Sequence, residues 1–163
     1  MTPTPGVTVG SVIAGLDLKL LAGAAGLDRQ LTNAYIQKTG LALAGLPEYL
    51  RPGRVLVFGD SEIRFLESQK PEARRVALAS LFAQDIPCVL VTNGQTVPAE
   101  LLTEAERAGV PLLLTPWSTP TAIARLTSAL EDRLAQRQVV HGVLMDLLGL
   151  GVLQAVDEVS MRL

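Results

Sequence analysis

The chain reads as an α/β domain in which a parallel or mixed sheet is flanked by helices. Three observations predict this class. Short apolar runs recur at Arg54-Val-Leu-Val-Phe58, Pro87-Cys-Val-Leu-Val-Thr92 and Val110–Leu114. Helical stretches separate them, so the order is strand, helix, strand, helix, strand, helix. Each run is apolar at nearly every position instead of alternating, as a strand buried on both faces requires.

Taken in order, Thr8–Gly15 predicts a short helix with Val12 and Ile13 inward and Gly15 as its stop. Leu18–Ala22 is a strand closed by the turn Gly23-Ala-Ala-Gly26, and Leu31–Ile36 is a second strand candidate. Leu41–Leu50 is helical, ending before Pro52-Gly53. After the strand at 54–58 and the turn Gly59-Asp60-Ser61, one helix runs from Glu62 to Ser68. A second occupies Pro71–Phe82, with Pro71 in its first turn and Val76, Leu78, Leu81 and Phe82 as its apolar residues. The strand at 87–92 ends at Asn93-Gly94, and Pro98–Ala108 is a helix stopped by Gly109. Thr115-Pro-Trp-Ser118 leads from the last strand into a long helix, Thr119–Ala135, with Ser118 or Thr119 as its N-cap. Gln138–Leu144, Met145–Leu150 and Gly151-Val-Leu153 read as a β-hairpin. The expected organisation is therefore a main domain over 1–135 and a separate hairpin segment over 136–163.

A length of 163 residues suits one medium domain with a short appendage. Formal charge is −2, Arg74-Arg75 is the only adjacent basic pair and aromatics make up 4%. The basic footprint and stacking platforms of a nucleic-acid binder are both missing, so no nucleic-acid partner is expected. Hydrophobic residues at 48%, charged residues at 18% and a mean hydropathy of +0.34 describe an apolar chain. That composition fits a well-filled core or a surface covered by another domain or subunit, and together with the hairpin it predicts a homo-oligomer. No apolar run is long enough to span a bilayer, and Met1-Thr-Pro-Thr-Pro-Gly6 lacks the charged start and apolar stretch of a signal peptide. Cys88 is a lone cysteine inside an apolar run, and the cytoplasm is the expected compartment.

Candidate chemistry gathers where such a sheet binds ligands, at the carboxyl ends of its strands. Three loops qualify: Gly59, Asp60, Ser61 and Glu62; Thr92, Asn93 and Gly94 with Gln95; and Thr115, Ser118 and Thr119 around Trp117. Their small and hydroxyl-bearing residues suit a small anionic or sugar-like ligand held by backbone N–H groups. The same residue types are also the ordinary turn and cap residues of any strand-to-helix junction. Asp60 and Glu62 form the best local carboxylate pair, with Asp60 also suited to capping the next helix. His141 is the only histidine, which excludes a histidine metal cluster and leaves Cys88 without a partner base. Ser11, Ser61 and Ser118 lack the G-x-S-x-G elbow. None of Lys19, Lys38 and Lys70 follows a glycine, so there is no Walker A loop. No cofactor and no catalytic residue is predicted, and an enzyme built on Asp60, Glu62 or His141 ranks well below a binding role.

Several segments together resemble HPr kinase/phosphorylase. They are Leu20-Leu-Ala-Gly23, Gly26-Leu-Asp-Arg29, Gly40-Leu-Ala-Leu-Ala-Gly45, Val57-Phe-Gly-Asp-Ser-Glu62, Phe65-Leu66, Pro87–Thr92 and Thr115-Pro-Trp-Ser-Thr119. His141-Gly-Val-Leu-Met-Asp146 and Leu148-Gly-Leu-Gly-Val-Leu153 are similar to the hairpin that opens the family's catalytic domain. The resemblance implies an N-terminal, non-catalytic regulatory or assembly domain, whose fold is similar to the substrate-binding domain of muramyl-peptide ligases. In the family the enzyme phosphorylates a serine of the phosphocarrier HPr and reverses that reaction, within the phosphotransferase system and carbohydrate metabolism. A kinase domain or an HPr-type protein is accordingly an expected partner. The alternative implied is a sensor module for a nucleotide-sugar or phosphorylated metabolite. His141 matches a family histidine near the kinase site. The family's catalytic residues have no counterparts in Gln154-Ala-Val-Asp-Glu-Val-Ser-Met-Arg-Leu163.

Overall fold

In the computed structural model, which describes residues 6–45 and 47–149, the apolar runs form the centre of one mixed sheet. Its strands are β2 (Lys19–Ala22), β4 (Gln37–Lys38), β5 (Val55–Phe58), β6 (Cys88–Val91) and β7 (Leu112–Leu114), in the spatial order β2-β7-β6-β5-β4. From β4 to β7 all pairings are parallel, with Val55 opposite Cys88 and Phe58 opposite Val91. Only β2 runs antiparallel, adding an edge beside β7 with Leu20 opposite Leu113. A second, two-stranded pair joins β1 (Val7–Thr8) to β3 (Gln30–Leu31).

Each central strand serves two cores, because successive side chains point to opposite faces. Leu56, Phe58, Val89, Val91 and Leu112 face a layer built by α3 (Asp60–Ser68), α4 (Pro71–Phe82) and α5 (Ala99–Ala108). Val55, Val57, Cys88, Leu90 and Leu113 face α1 (Val9–Gly15) and α6 (Thr119–Gly149). The connections β5 to β6 and β6 to β7 step the same way along the sheet, so one crossover handedness places α3, α4 and α5 on a single face. The chain leaving β7 goes to the other. There α6 lays Ala122, Leu126, Leu130 and Leu134 against the sheet, an i, i+4 row on one side of the helix.

Start and stop signals behave as their chemistry requires. The Thr8 side chain accepts the Ser11 N–H at the start of α1, and the Ser118 Oγ accepts the Thr121 N–H at the start of α6. Gly109 ends α5 in the left-handed conformation. Gly23 has φ +79°, and a Cβ there would run into the Val110 carbonyl, so the turn after β2 admits only glycine. Two arginines gather backbone carbonyls at helix ends and in the adjoining loops. Arg29 donates to the carbonyls of Gly109, Ala108 and Ile86, and Arg74 to those of Leu66, Glu67 and Gln69. Arg74 also bonds Glu100 at 2.8 Å, a hydrogen bond that holds the Glu100 carboxyl below its ordinary pKa.

Three expectations are corrected. The segment 31–36 is not a strand: pairing falls on Gln30–Leu31 and Gln37–Lys38, each two residues long. The segment 41–50 is not one helix but α2 (Gly40–Leu43) followed by a 3₁₀ turn, Pro47–Tyr49, with Gly45 at φ +101° between them. The hairpin read at 138–153 is helix as far as Gly149, so α6 crosses the boundary placed after Ala135, and positions 150–153 lie outside the described residues. Among the described residues no helix is long and apolar enough to cross a membrane.

Replacing Arg29 with Met keeps the aliphatic stem and strips three carbonyls of their donor. It is expected to cost on the order of 2 kcal/mol in urea unfolding. Cys88 is fully enclosed, and burial pushes its thiol up to about 12 from 9.0. The folded state then keeps a proton that the unfolded chain loses above 9.0. Its contribution to stability is therefore present below pH 9 and lost as pH rises from 9 towards 12. A thiol-specific chromogenic reagent at pH 8 is expected to leave the native chain unlabelled and to label it on unfolding.

Candidate functional site

The carboxyl ends of the parallel strands open into a cleft of about 380 Å³, lined by Lys38, Val57, Gly59, Asp60, Ser61, Glu62, Asn93, Ser118, Thr119 and Pro120. Its position follows from the topology. The chain leaving β5 turns into α3 on one face of the sheet, and the chain leaving β7 turns into α6 on the other. A crevice is left between them above β6.

Each wall has a local cause. Gly59, not Asp60, is the N-cap residue of α3, which begins two positions earlier than the sequence suggests. Glu62 reaches back in half of a capping box: its Oε2 accepts the Gly59 N–H at 3.0 Å and the Ser61 hydroxyl at 2.9 Å. Asp60, freed from capping, accepts from the Asn93 Nδ2 at 3.2 Å and so ties the first loop to the second. Asn93 and Gly94 both have positive φ, forming a tight turn whose N–H groups donate to the carbonyls of Trp117 and Thr115. Thr92 and Thr119 share a 2.6 Å hydroxyl–hydroxyl bond that joins β6 to the start of α6. The approach of the walls is close enough that a Cβ on Gly59 would lie 3.0 Å from the Thr119 Oγ1 and 3.4 Å from a Glu62 oxygen.

Of the residues singled out from the sequence, Gly59, Asp60, Ser61, Glu62, Asn93, Ser118 and Thr119 meet at this cleft. Thr92, Gly94 and Thr115 do not line it. Thr92 and Thr115 are buried and, with Gly94, hold the loops in place, and the Thr115 hydroxyl accepts the Trp117 N–H. Trp117 turns away from the cleft and stacks under the Arg125 guanidinium, 4.6 Å from the ring centre. His141 falls in the helical backbone of α6, more than twenty residues beyond the cleft-lining start of that helix. Lys38, Val57 and Pro120 were missed. Lys38 stands at the carboxyl end of β4, a strand too short to be read from periodicity, although a Gln-Lys pair beside Thr39-Gly40 carries the right chemistry. Among the described residues no group of three or more His, Cys, Asp or Glu side chains is placed to hold a metal ion.

Fold and cleft together define a mixed α/β domain with a polar crevice at the ends of its parallel strands. The family model described as HPr Serine kinase N terminus matches residues 7–130, and the chain belongs to that family. It is 45% identical over 139 residues to HPr kinase/phosphorylase of Geobacter sulfurreducens, covering 85% of this chain and 44% of that protein. Against the enzymes of the same name from Brevibacillus brevis and Enterococcus faecalis, identities are 37% and 38%, covering 89% and 90% of this chain. The chain spans about half the length of these relatives, 47% and 48% in the last two. Among solved structures it is similar to the CBS and DRTGG domains of the regulatory region of Clostridium perfringens pyrophosphatase, complexed with the activator diadenosine tetraphosphate. That likeness has a TM-score of 0.50 at 17% identity, covers 74% of this chain and 45% of the other, and speaks for the fold alone.

Gly59→Ala forces the Thr119 hydroxyl away from Thr92 without straining its own backbone, since φ there is −94°. A loss of about 1 kcal/mol in thermal or urea unfolding is expected.

Proposed function

We propose that this domain is the non-catalytic regulatory part of an HPr kinase/phosphorylase-type protein, and that it works by binding a small polar ligand in the cleft above β6. One observation carries the reading: the cleft is walled by the first turn of α6, the same helix that packs across the second core and runs on to Gly149. At 1.5 Å per residue its 31 residues extend about 46 Å. A ligand held by Ser118 and Thr119 thus touches one end of a rod whose other end lies well beyond the sheet. Regulation of an HPr-directed kinase domain, in carbohydrate uptake and the phosphotransferase system, is the role assigned to it from its family. The Clostridium regulatory region, bound to its nucleotide activator, offers a precedent for ligand control through a related fold. Family membership rather than the cleft supports HPr and its kinase domain as partners. The lone, buried Cys88 suits the cytoplasm.

A second role, self-assembly, rests on the far half of α6. Val139, Val140, Val143 and Met145 are exposed there, Val139 at 67%, more apolar surface than a solvated helix end needs. The pair Val139→Glu with Val143→Glu is expected to lower the light-scattering mass of any self-associated species to that of the 17.3 kDa chain, with unfolding unchanged.

A thermal-shift screen against nucleotides, sugar phosphates, nucleotide-sugars, free sugars and inorganic phosphate tests the ligand reading. A reproducible rise with one chemical class is expected, because a ligand that selects the folded state raises its melting temperature by mass action. No rise with any of them would leave assembly as the better account. ATP turnover or HPr phosphorylation by this chain alone would overturn the non-catalytic assignment.

A further inference from the structure

Resting on the ligand reading above, the chemistry of the cleft also says what kind of group it takes. We propose that the cleft recognises a sugar through a vicinal diol, with Glu62 as the acceptor and Lys38 as the facing donor, and does not recognise a phosphate.

Charge argues first. Among the described residues the lining holds two carboxylates, Asp60 and Glu62, and one ammonium group, Lys38. The positive end of α3 would ordinarily invite an anion, but both acids sit in that helix's own first turn and offset it. A phosphate placed there would meet two like charges and one opposite charge. A bare cation fares little better, with the Lys38 ammonium lining the same cleft.

Glu62 supplies the second, independent argument. It is 7% exposed, and its Oε2 is occupied by the Gly59 N–H and the Ser61 hydroxyl. Its Oε1 has no hydrogen-bond partner among the described residues. That oxygen faces the Gly40 corner beside Lys38, where a Cβ on Gly40 would still be 4.0 Å away. That oxygen is open to the cleft, where a donor on a ligand can reach it. Adjacent hydroxyls provide one that costs no charge: each donates to a carboxylate and accepts from an ammonium or hydroxyl, as carboxylates do with ribose. Lys38, Ser118 and Thr119 line the same cleft with such groups. The volume of about 380 Å³ suits a monosaccharide or a nucleoside.

The test is amide chemical-shift titration of the ¹⁵N-labelled chain. Probes are uridine and methyl α-D-glucopyranoside as diol carriers, 2′,3′-dideoxyuridine as the same nucleoside without its diol, inorganic phosphate, and magnesium chloride. A diol carrier is expected to shift the Gly59, Ser61 and Asn93 amides saturably, and comparing uridine with the glucoside tells nucleoside from free sugar. Loss of the diol, or Glu62→Gln, should weaken binding at least about tenfold. Glutamine still accepts the Gly59 N–H through its carbonyl, so the fold is kept while the cleft-facing acceptor becomes a donor. Lys38→Met serves as a second variant outside the capping box and should weaken binding similarly. Shifts of these amides by phosphate or magnesium alone, or equal binding of uridine and dideoxyuridine, would overturn the diol assignment while leaving a ligand-binding cleft. No response to any probe would overturn both.

Discussion

The constraint on which everything else depends is that β5, β6 and β7 must be covered on both faces at once. Val55, Leu56, Val57 and Phe58 are all buried, as are Cys88, Val89, Leu90 and Val91. Alternate residues belong to different cores, so neither helical layer can dock without leaving half of every strand in water. Burying a leucine or valine is worth about 1.5–3 kcal/mol. An uncovered face would forfeit several such terms together. The two layers therefore form as one cooperative unit, although α1 and α6 are separated by most of the chain. The 2.7 Å bond from Arg133 to the Ser11 carbonyl fastens those two helices directly.

That double coverage also creates the cleft. If the helices after β5 and β7 lay on the same face, the strand ends would be roofed over. Because one core recruits α3 and the other recruits α6, the loops diverge and expose their polar residues towards each other. What keeps the crevice from collapsing is the set of bonds between its walls: Asn93 to Asp60, Thr92 to Thr119, and the 93–94 turn to the 115–117 backbone. These satisfy the loop polar groups without filling the space, so a site built on the ends of buried strands inherits their rigidity.

How much of this was legible depended on the length of each element. From Arg54 to Ala135 the apolar runs, the Pro71 start and the Gly109 stop state their structure locally, and the strands and helices fall within a residue or two of expectation. In the first fifty residues α1 and β2 also fall within one residue of expectation, but β1, β3 and β4 were not legible, because they are two residues long and exist through their partners in space. The segment after Gln138 misled for the opposite reason. Val139, Val140 and Val143 have strand propensity and Gly142 and Gly149 weaken a helix, yet a helix already propagating from Thr119 absorbs a glycine for about 1 kcal/mol. The family likeness of the same residues reinforced the strand reading. At the site, loop residues could be named one by one. That Asp60 would be released from capping by Gly59, or that Lys38 would join them, is a property of three dimensions.

On the function proposed above, the long helix is what links the cleft to the exposed apolar surface. In α6, Ala122, Leu126, Leu130 and Leu134 pack along a single row on the face that carries Val55, Val57 and Leu90. Its first turn is held by the cleft through Thr92 and its own Ser118 cap. Beyond Leu134 none of the described helix positions is fully buried. On that proposal, the far valines are the part of the helix through which the cleft would reach another surface.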